Sequence, residues 1–376
     1  MSDSAPATMP RAGESVYGDP GRYMMPAEWE PHDATWIAWP HHEPDWPGKL
    51  GAIPWVYAEI VRALHRYERV EIFCENDVVR SGAAAMLDAH DVATEGYRLL
   101  TVPTDRVWLR DSAPTFVWAE DGSVELVNWR FNAWAKYDNY TLDERVGAAI
   151  EDITGLKRID AVRPDTGEPL VLEGGGIDVD GSGRVLVTEE WLLSDVQVRN
   201  PELTREAYEQ AFAAYLGATH TVWLARGSAG DDTHGHIDDV ARFASPGVAI
   251  LAFEENRSDA NHKSSVENLE RLERDASADL LRIVRLPYPR PVMMGGQRLP
   301  ASYANFYIAN GVVLVPTFND PMDRIALDLL AGEFPNRDII GIHSVDLVWG
   351  LGTLHCLTQQ QPAPRGHASR TESPVR

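Results

Sequence analysis

The stretch 349–360 places one cysteine, Cys356, after two glycines and just before a polar tail. A thiol on a glycine-flanked turn is a candidate nucleophile, because small neighbours let a substrate approach the sulfur closely. The competing interpretation is a buried structural cysteine, which is the commoner role of an isolated Cys. The choice between them depends on which side chains the rest of the chain brings to the same position of a repeat.

Carboxylates and a histidine close other segments of the chain at comparable positions. In chain order they are Asp111, Glu173, His236 and Asp238. If these segments converge with Cys356, the carboxylates would raise the pKa of the thiol above its usual value of about 8.5 and discourage the thiolate. A cation in the pocket would reverse that effect. A guanidinium fits best, because paired carboxylates can take up its N–H donors two at a time.

His236 would then protonate departing ammonia and later activate water. Two residues apart on an extended segment, His236 and Asp238 would point to the same face. Each residue also has a purely structural interpretation. Asp111 follows Arg110 and could form a salt bridge, Glu173 precedes three glycines and could belong to a turn, and His236 lies among acids and could be a surface residue.

Three further residues near these motifs have less direct interpretations. Trp108 is expected to line the pocket, whereas most other tryptophans are expected in the core. Asp239 is interpreted as a structural hydrogen-bonding residue, and Arg242 as the partner of a structural carboxylate rather than of a substrate.

A metal site is the alternative from another class of enzyme. His234, His236 and Asp238 form the His-x-His-x-Asp pattern of zinc hydrolases, whose ligands bind metal directly. Those sites usually need further histidines, and Asp239 stands where the metallo-β-lactamase pattern has another His. A non-catalytic binding module is the third alternative, and loss of activity confined to Cys356→Ser would exclude it.

The elements that must position these side chains recur along the chain. A β-rich run, a loop, a helix, a second β-rich run and a closing motif follow one another, and the opening strands begin at 35, 124, 184, 248 and 312. From the second unit on, the starts are 60, 64 and 64 residues apart. An extra helix–strand pair near 77–88 and 97–102 accounts for the longer first unit.

Local signals support this organisation. Asn200 followed by Pro201 predicts a helix start, and Gly217 predicts the end of that helix. Asp180-Gly181 and Asn310-Gly311 predict hairpin turns. A doubly wound sheet is the competing architecture, but Glu173 and the three following glycines lie mid-chain without the dinucleotide-binding spacing. The pattern therefore favours repeated α/β units.

Composition narrows the class of protein. The 376 residues carry a net charge of −23, which argues against nucleic acid as a partner and agrees with a cationic ligand. Cys74 and Cys356 lie far apart, so neither a disulfide scaffold nor a thiolate metal site is expected. The apolar runs are too short to span a bilayer, and residues 1–21 lack the apolar core of a signal peptide. We predict a cytoplasmic globular protein that binds neither nucleic acid nor membrane.

Six segments together resemble one family. They are Met25-Pro-Ala-Glu-Trp-Glu-Pro-His32, Trp108-x-Arg-Asp111, Glu173-Gly-Gly, Gly235-His-x-Asp238, Ser302-Tyr-x-Asn-Phe-Tyr-Ile-Ala-Asn-Gly311 and His355-Cys-x-Thr-Gln-Gln360. In this order they resemble the agmatine deiminase family, which includes bacterial peptidylarginine deiminases, over about residues 24–362. The resemblance implies the pentein fold, a five-bladed pseudo-symmetric α/β propeller. We therefore predict a single catalytic domain over 23–362, between disordered segments at 1–22 and 363–376.

The resemblance also implies a role for each matching residue. Cys356 would attack the guanidinium carbon, and Asp111 and Asp238 would hold the guanidinium nitrogens. His236 would act as general acid and base, with Glu173 binding the guanidinium and orienting the histidine. Ammonia leaves, a covalent thiouronium forms, and water releases a ureido product. The resemblance implies no metal or organic cofactor and is compatible with a homo-oligomer, since family members often form dimers or tetramers.

Agmatine is the leading substrate, with N-carbamoylputrescine and ammonia as products; another guanidino compound or peptidylarginine is the alternative. Departures from the family pattern bear on the substrate more than on the reaction. Thr353 stands where agmatine deiminases usually have Asn. His234 stands where they have Asp or Asn, and Asp239 where they have Asn. Gly176 and Asp178 replace a polar residue and a His. A substrate carboxylate would need an Arg or Lys that the sequence does not identify.

Overall fold

Strands and helices alternate along the chain in the computed structural model, which describes residues 21–275 and 281–366. Within these ranges the strands form six separate sheets, and none of them closes into a barrel. The fold is therefore mixed α/β, as the alternation of strand and helix signals predicted. The terminal segments predicted to be disordered lie outside the described residues, apart from 21–22 and 363–366.

The first sheet contains the longest parallel set. Its elements are β2 (His32–Ala38), α1 (Ile53–Leu64), β3 (Arg69–Cys74), α2 (Asp77–Ala89) and β4 (Tyr97–Thr101). The short strand β1 (Tyr23–Met24) precedes them in the chain and belongs to another sheet. β2, β3 and β4 are parallel, with Trp36 opposite Glu71 and Ile72 opposite Leu99. α1 and α2 are the crossover helices that parallel neighbours require. The predicted extra helix–strand pair is confirmed as α2 and β4.

The remaining elements follow in four groups. The first is α3 (Leu109–Ser112), β5 (Thr115–Ala119), β6 (Val124–Asn128), α4 (Val146–Thr154) and β7 (Arg158–Asp160). The second is β8 (Asp178–Val179), β9 (Arg184–Thr188), α5 (Glu189–Leu192), α6 (Arg205–Leu216) and β10 (His220–Leu224). The third is β11 (Ala241–Ser245), β12 (Val248–Phe253), α7 (Ala260–Arg274) and β13 (Arg282–Pro287). The last is β14 (Met293–Met294), β15 (Gln297–Arg298), β16 (Tyr307–Ala309), β17 (Val312–Thr317), α8 (Met322–Glu333), β18 (Asp338–His343), α9 (Leu354–Leu357) and β19 (Gln359–Pro362).

Five of the sheets in the described ranges share one strand order. An antiparallel hairpin is followed by a helix and a strand parallel to its second member, as in β11–β12–α7–β13 and β16–β17–α8–β18. The β5–β7 and β8–β10 groups repeat it. The N-terminal sheet acquires the same order because β19 pairs antiparallel with β2. The last strand of the chain thus completes the first unit.

One predicted helix boundary is wrong. α6 begins at Arg205, with Thr204 as its N-cap accepting from the backbone N–H of Ala207, and not at Asn200. The Asn200 side chain instead forms two hydrogen bonds with the backbone of Val171, on the preceding unit. A tertiary partner has taken the amide that local sequence assigned to capping. The other end is as predicted, since Gly217 adopts φ +67° and ends α6.

The predicted hairpin turns are present, and the tryptophans largely form the core. Gly181 and Gly311 have φ +67° and +69° between β8 and β9 and between β16 and β17. The side chains of Trp36, Trp46 and Trp191 are almost completely buried. No helix in the described ranges has the length and apolar character needed to cross a bilayer.

Candidate active site

A cavity of about 590 Å³ contains the predicted nucleophile in its wall. Cys356 and Asp111 line it together with the rings of Trp108 and Trp134. The other predicted site residues, His236, Asp238 and Glu173, are buried against this wall. The structure therefore brings together all six side chains that the sequence identified, including Trp108.

Cys356 lies on the short helix α9, where one neighbouring side chain holds the turn. The Asn305 carboxamide accepts from the backbone N–H of His355 at 3.1 Å and donates from Nδ2 to Cys356 Sγ at 3.1 Å. Gly352 is required for packing, because a Cβ there would lie 2.7 Å from the Trp108 ring and 3.1 Å from the Cys356 Cβ. The glycine before the thiol thus makes room for the cavity wall.

Asp238 contacts the nucleophile directly. Its Oδ2 lies 3.5 Å from Cys356 Sγ and 2.8 Å from His355 Nδ1, whereas its Oδ1 is buried without a hydrogen-bond partner in the described residues. Asp238 belongs to a 3-10 turn, Ile237–Asp239, and not to the extended segment that was predicted. The backbone of this turn, rather than strand alternation, brings Asp238 and His236 to one site.

His236 lies between two carboxylates without strong contact to either. Its Nε2 is 3.3 Å from Glu173 Oε2. Its Nδ1 is 3.7 Å from Asp111 Oδ1 and has no hydrogen-bond partner in the described residues. Gly175 allows this approach: its backbone N–H donates to Asp111 Oδ1 at 3.0 Å, and a Cβ there would lie 2.6 Å from His236 Nδ1. The glycine run after Glu173 therefore serves the site by its lack of side chains.

Glu173 is fully buried and both of its oxygens have protein partners. Oε1 accepts from Arg199 Nε at 3.0 Å, and Oε2 accepts from the Trp191 indole at 2.7 Å and faces His236. Burial alone would raise the pKa of Glu173, but Arg199 and His236 lower it to about 2. In this arrangement Glu173 is an ionised carboxylate directed at the histidine and not at the cavity.

The remaining charges shift one another in the same manner. Burial would lower the pKa of His236, but Asp111 and Glu173 raise it to about 9. Burial raises the pKa of Asp111 to about 6, against the lowering effect of His236. Burial, followed by Asp238 and its acidic neighbours, raises the pKa of the Cys356 thiol well above its usual value. The expectation that carboxylates discourage the thiolate in the empty pocket is thus confirmed in direction.

Sequence reasoning missed three residues of this site as functional groups. Asn305 lies in the segment 302–311, which closes the fourth repeat unit. Its position in the repeat therefore indicated that it belongs to the site. His355 adjoins the nucleophile but was quoted only as part of a motif. Arg199, which holds Glu173, carried no signal, because a lone arginine in a loop resembles any surface arginine.

The zinc-hydrolase alternative is not favoured by the geometry. His234 adopts φ +65°, and its Nε2 lies 3.0 Å from the hydroxyl of Ser194. His236 instead approaches Glu173 and Asp111. Throughout 21–275 and 281–366, no three His, Cys, Asp or Glu side chains lie where they could together hold a metal ion.

The residues interpreted as structural are deeply buried. Arg242 contacts Asp178 through Nε, and its Nη2 lies 2.9 Å from Glu28 Oε2. The backbone oxygen of Asp239 accepts from the hydroxyls of Ser228 and Ser302, and burial together with neighbouring acids raises the pKa of its carboxyl group well above the usual value.

Thr353, which departs from the family pattern, is part of the nucleophile turn. Its hydroxyl donates to Asn305 Oδ1 at 2.7 Å. It therefore helps to fix the carboxamide that donates to Cys356. Leu351, two residues earlier, has φ +69° although it is not a glycine, and it lines the cavity. Such a conformation costs a β-substituted residue roughly 1 kcal/mol.

A second polar group lies in the cavity wall. Asp45 is buried, and its Oδ1 accepts from Arg106, whereas its Oδ2 has no hydrogen-bond partner in the part of the chain described. Burial raises the pKa of Asp45 to about 6 despite the lowering effect of Arg106. Arg106 also donates to Asn139 at 3.2 Å. The cavity thus offers a carboxylate oxygen in addition to the groups beside Cys356.

Sequence comparison places the chain among deiminases. A family model described as Porphyromonas-type peptidyl-arginine deiminase matches residues 24–362. The agmatine deiminase of Ectopseudomonas mendocina is 34% identical over 369 residues, covering 92% of this chain and 96% of that protein. The agmatine deiminase of Stutzerimonas stutzeri is 34% identical over 365 residues, with 91% and 96% coverage.

Solved structures agree with the sequence matches. The agmatine deiminase of Enterococcus faecalis superimposes with a TM-score of 0.82 at 29% identity, covering 91% of this chain and 96% of that one. The C. jejuni agmatine deiminase with substrate bound has a TM-score of 0.81 at 25% identity, with 91% and 97% coverage. With matching motifs, matching length and matching fold, the chain belongs to the family of Porphyromonas-type peptidyl-arginine deiminases and agmatine deiminases.

Proposed function

We propose that the protein hydrolyses the guanidino group of agmatine to give N-carbamoylputrescine and ammonia. The observation that carries the proposal is the thiol of Cys356 in the cavity wall, surrounded by carboxylates and a histidine. The relatives named agmatine deiminase supply the leading substrate. Neither peptidylarginine nor zinc-dependent hydrolysis has comparable support.

Binding would begin with charge neutralisation. Asp238 Oδ1 has no partner in the described residues, and each oxygen of Asp111 can accept a further hydrogen bond beyond the one it has. A guanidinium between these two carboxylates would satisfy them and bring a positive charge beside the sulfur. Trp108 would pack against the guanidinium plane as part of the cavity wall.

The substrate itself would then activate the nucleophile. With the cation absent, burial and the acidic neighbours keep Cys356 protonated. Once a guanidinium is bound, its charge lowers the pKa of the thiol, which releases its proton to solvent, and the Asn305 carboxamide at 3.1 Å stabilises the thiolate as a donor. The thiolate attacks the guanidinium carbon, forming the C–S bond as the C=N π electrons move to nitrogen.

His236 would carry the protons. Its raised pKa favours an imidazolium near neutral pH, and among the described residues its Nδ1 has no hydrogen-bond partner. It donates the Nδ1 proton to the departing nitrogen, so ammonia leaves as the C–N bond breaks. The neutral ring then takes a proton from water, whose oxygen attacks the thiouronium carbon. The C–S bond breaks, the remaining hydroxyl proton passes to the sulfur, and the ureido product leaves with the Cys356 thiol restored.

Glu173 would orient His236 and stabilise its charge. This part of its predicted role agrees with the 3.3 Å approach of the two side chains. Binding of the guanidinium by Glu173 stays a prediction, because Arg199 and Trp191 already occupy its oxygens.

Agmatine carries a second cation, and Asp45 is our candidate for it. Asp45 lines the same cavity, and its Oδ2 has no hydrogen-bond partner in the described residues. A substrate with a carboxylate would meet Arg106 there, but that guanidinium is already engaged by Asp45 and Asn139. These contacts favour a substrate ending in an amine over one ending in a carboxylate.

The architecture and setting are part of the proposal. Five sheets of one strand order support a five-bladed pentein arrangement about the site, within a single catalytic domain over 23–362. Two buried free thiols, Cys74 and Cys356, agree with a reducing, cytoplasmic environment. The acidic balance suits a small cationic partner rather than nucleic acid.

The decisive experiment measures ammonia and ureido-product release from agmatine, arginine and an arginyl peptide. We expect turnover of agmatine by the wild type and none by Cys356→Ser. Cys74→Ser is the matched control, because Cys74 is the other buried thiol and lies on β3, outside the cavity lining.

Turnover of another guanidine but not agmatine would retain the mechanism and change the substrate. An active Cys356→Ser variant, or activity that added zinc creates and thiol alkylation does not affect, would overturn the proposal.

A further inference from the structure

His355 is a buried histidine with a charged partner on each ring nitrogen. It precedes the nucleophile on α9 and does not line the cavity. Its Nδ1 lies 2.8 Å from Asp238 Oδ2, and its Nε2 lies 2.8 Å from Glu28 Oε2. Nothing in the proposed reaction uses it.

The two contacts determine where its protons must be. A neutral imidazole has one N–H and one lone pair, so it can donate to only one of two carboxylates. Burial would raise the pKa of Glu28, but Arg242 and His355 lower it well below the usual value. Burial would also raise the pKa of Asp238, but its hydrogen bond with His355 lowers it, and the net shift is downward. Each ring nitrogen lies 2.8 Å from a carboxylate oxygen, and both contacts are satisfied together when both nitrogens donate.

Glu28 is itself held rigidly. Its Oε1 accepts from the backbone N–H of Ile308 at 2.8 Å, and its Oε2 faces Arg242 at 2.9 Å and Arg110 at 3.5 Å. Arg242 in turn contacts Asp178. His355 is therefore fixed from behind by a buried network, and its Nδ1–H has a defined direction.

That direction bears on the substrate. Asp238 Oδ2 accepts from His355 and from the Cys356 thiol, whereas Oδ1 has no partner within 21–275 and 281–366. The hydrogen bond from His355 stops the carboxylate from rotating. It also places a positive charge beside the acids that surround the thiol.

We infer that His355 is a positioning residue which, as a buried imidazolium, holds Asp238 with one oxygen towards the guanidinium and offsets the negative charge beside Cys356. This inference rests on the proposed deiminase function. It differs from the role of His236, because His355 transfers no proton and touches no substrate.

Two variants separate its orientation from its charge. His355→Gln removes the link between Asp238 and Glu28. Glu28→Gln leaves the shape, but its amide can donate to Nε2, so the ring keeps its hydrogen bond to Asp238 and loses its charge. His262→Gln is the matched control, since that ring is half-buried and its Nδ1 hydrogen-bonds to the backbone carbonyl of Glu254, away from the cavity.

We expect His355→Gln to raise KM for agmatine about tenfold, with a further tenfold loss in kcat. Glu28→Gln should mainly lower kcat and slow alkylation of Cys356 by iodoacetamide in the presence of a bound guanidine. His262→Gln should leave these quantities unchanged. A folded His355→Gln variant with wild-type KM and alkylation rate would overturn the inference.

A measurement on the unmodified protein covers the case in which these variants do not fold. In ¹⁵N-histidine-labelled wild type at pH 7, the ring of His355 should show both nitrogens protonated and hydrogen-bonded. Selective labelling of the His355-Cys356 peptide bond assigns it, because the His-Cys pair occurs once in the sequence. A single N–H on His355 would refute the imidazolium even if agmatine is turned over, whereas absent turnover with two N–H signals would count against the proposed function alone.

Discussion

His236 and His355 are equally buried, and each lies between two carboxylates, yet their contacts differ. His355 lies 2.8 Å from an acceptor on both sides. His236 lies 3.3 Å from one acceptor and 3.7 Å from the other, and its Nδ1 has no hydrogen bond to any described residue. A ring whose two N–H groups both make short hydrogen bonds to carboxylates is costly to deprotonate. A ring with longer contacts can exchange a proton more easily. The weaker contacts therefore identify the ring suited to acid–base chemistry.

The carboxylates show the same contrast. Glu28 and Glu173 have partners on both oxygens, including arginines. Asp238 and Asp45 each keep one buried oxygen without a partner in the described residues. Leaving a buried acceptor unpaired costs about 1–3 kcal/mol. Such a cost is offset if a ligand supplies the missing donors, so we expect a cation to bind at the unpaired oxygens.

The largest effect should come from breaking the loosely held histidine. His236→Asn should lower kcat for agmatine about a thousandfold, because general acid–base catalysis contributes roughly 10²–10⁴-fold. Steady-state ammonia release measures it, with His262→Asn as the control. A His236→Asn variant that retains a tenth of wild-type kcat would show that the spare nitrogen is not catalytic.

For a carboxylate with partners on both oxygens, loss of a partner should lower the stability of the fold. Arg199→Gln should lower the free energy of unfolding by about 3–5 kcal/mol, because it leaves Glu173 ionised and buried without its partner. Urea denaturation measures this loss. Arg274→Gln is the control: its pair with Glu270 is largely exposed, and it should cost less than about 1 kcal/mol.

The sign of the Glu173 contribution also follows. Its folded pKa of about 2 lies below the ordinary 4.5, so its stabilisation is fully present above pH 4.5 and is lost as the pH falls towards 2. Equal losses for Arg199→Gln and Arg274→Gln at pH 7 would contradict the contrast between buried and exposed pairs.

Activity should depend on pH through the groups facing the cavity. In the free enzyme Asp111 must be ionised and His236 protonated, so kcat/KM should fall below about pH 6 and above about pH 9. Each limb should approach a tenfold loss per pH unit. A profile of kcat/KM against pH between 4.5 and 10 tests this, and a flat acid limb would remove Asp111 from guanidinium binding.

The smallest effect concerns the far carboxylate. Asp45→Asn should raise KM for agmatine about tenfold, roughly 1.4 kcal/mol, while KM for butylguanidine stays unchanged because that compound lacks the ammonium group. Asp138→Asn is the control, since Asp138 is exposed on the loop after Tyr137. An equal rise for both compounds would mean that Asp45 supports the cavity wall rather than the second cation.

Much of this arrangement could be predicted from the sequence. Asp111, Glu173, His236, Asp238 and Cys356 each close a repeat unit, and an equivalent phase in repeated units implies a shared location. The helix stop at Gly217 was also readable, because a glycine tolerates the left-handed conformation that ends a helix. The start of the same helix could not be predicted, because the Asn200 side chain hydrogen-bonds to the backbone of Val171 in the preceding unit instead of capping the helix.

Residue type and local periodicity are properties of the chain itself, so the sequence alone determined the set of reactive groups, the α/β alternation and the family. Hydrogen bonds between residues far apart in the chain are not visible in the local sequence, and only the tertiary structure decided them. His355 meets Glu28 across 327 residues, and β19 must return to β2 for that contact to form. Which histidine is free to move a proton depends on such distances, and no local pattern encodes them.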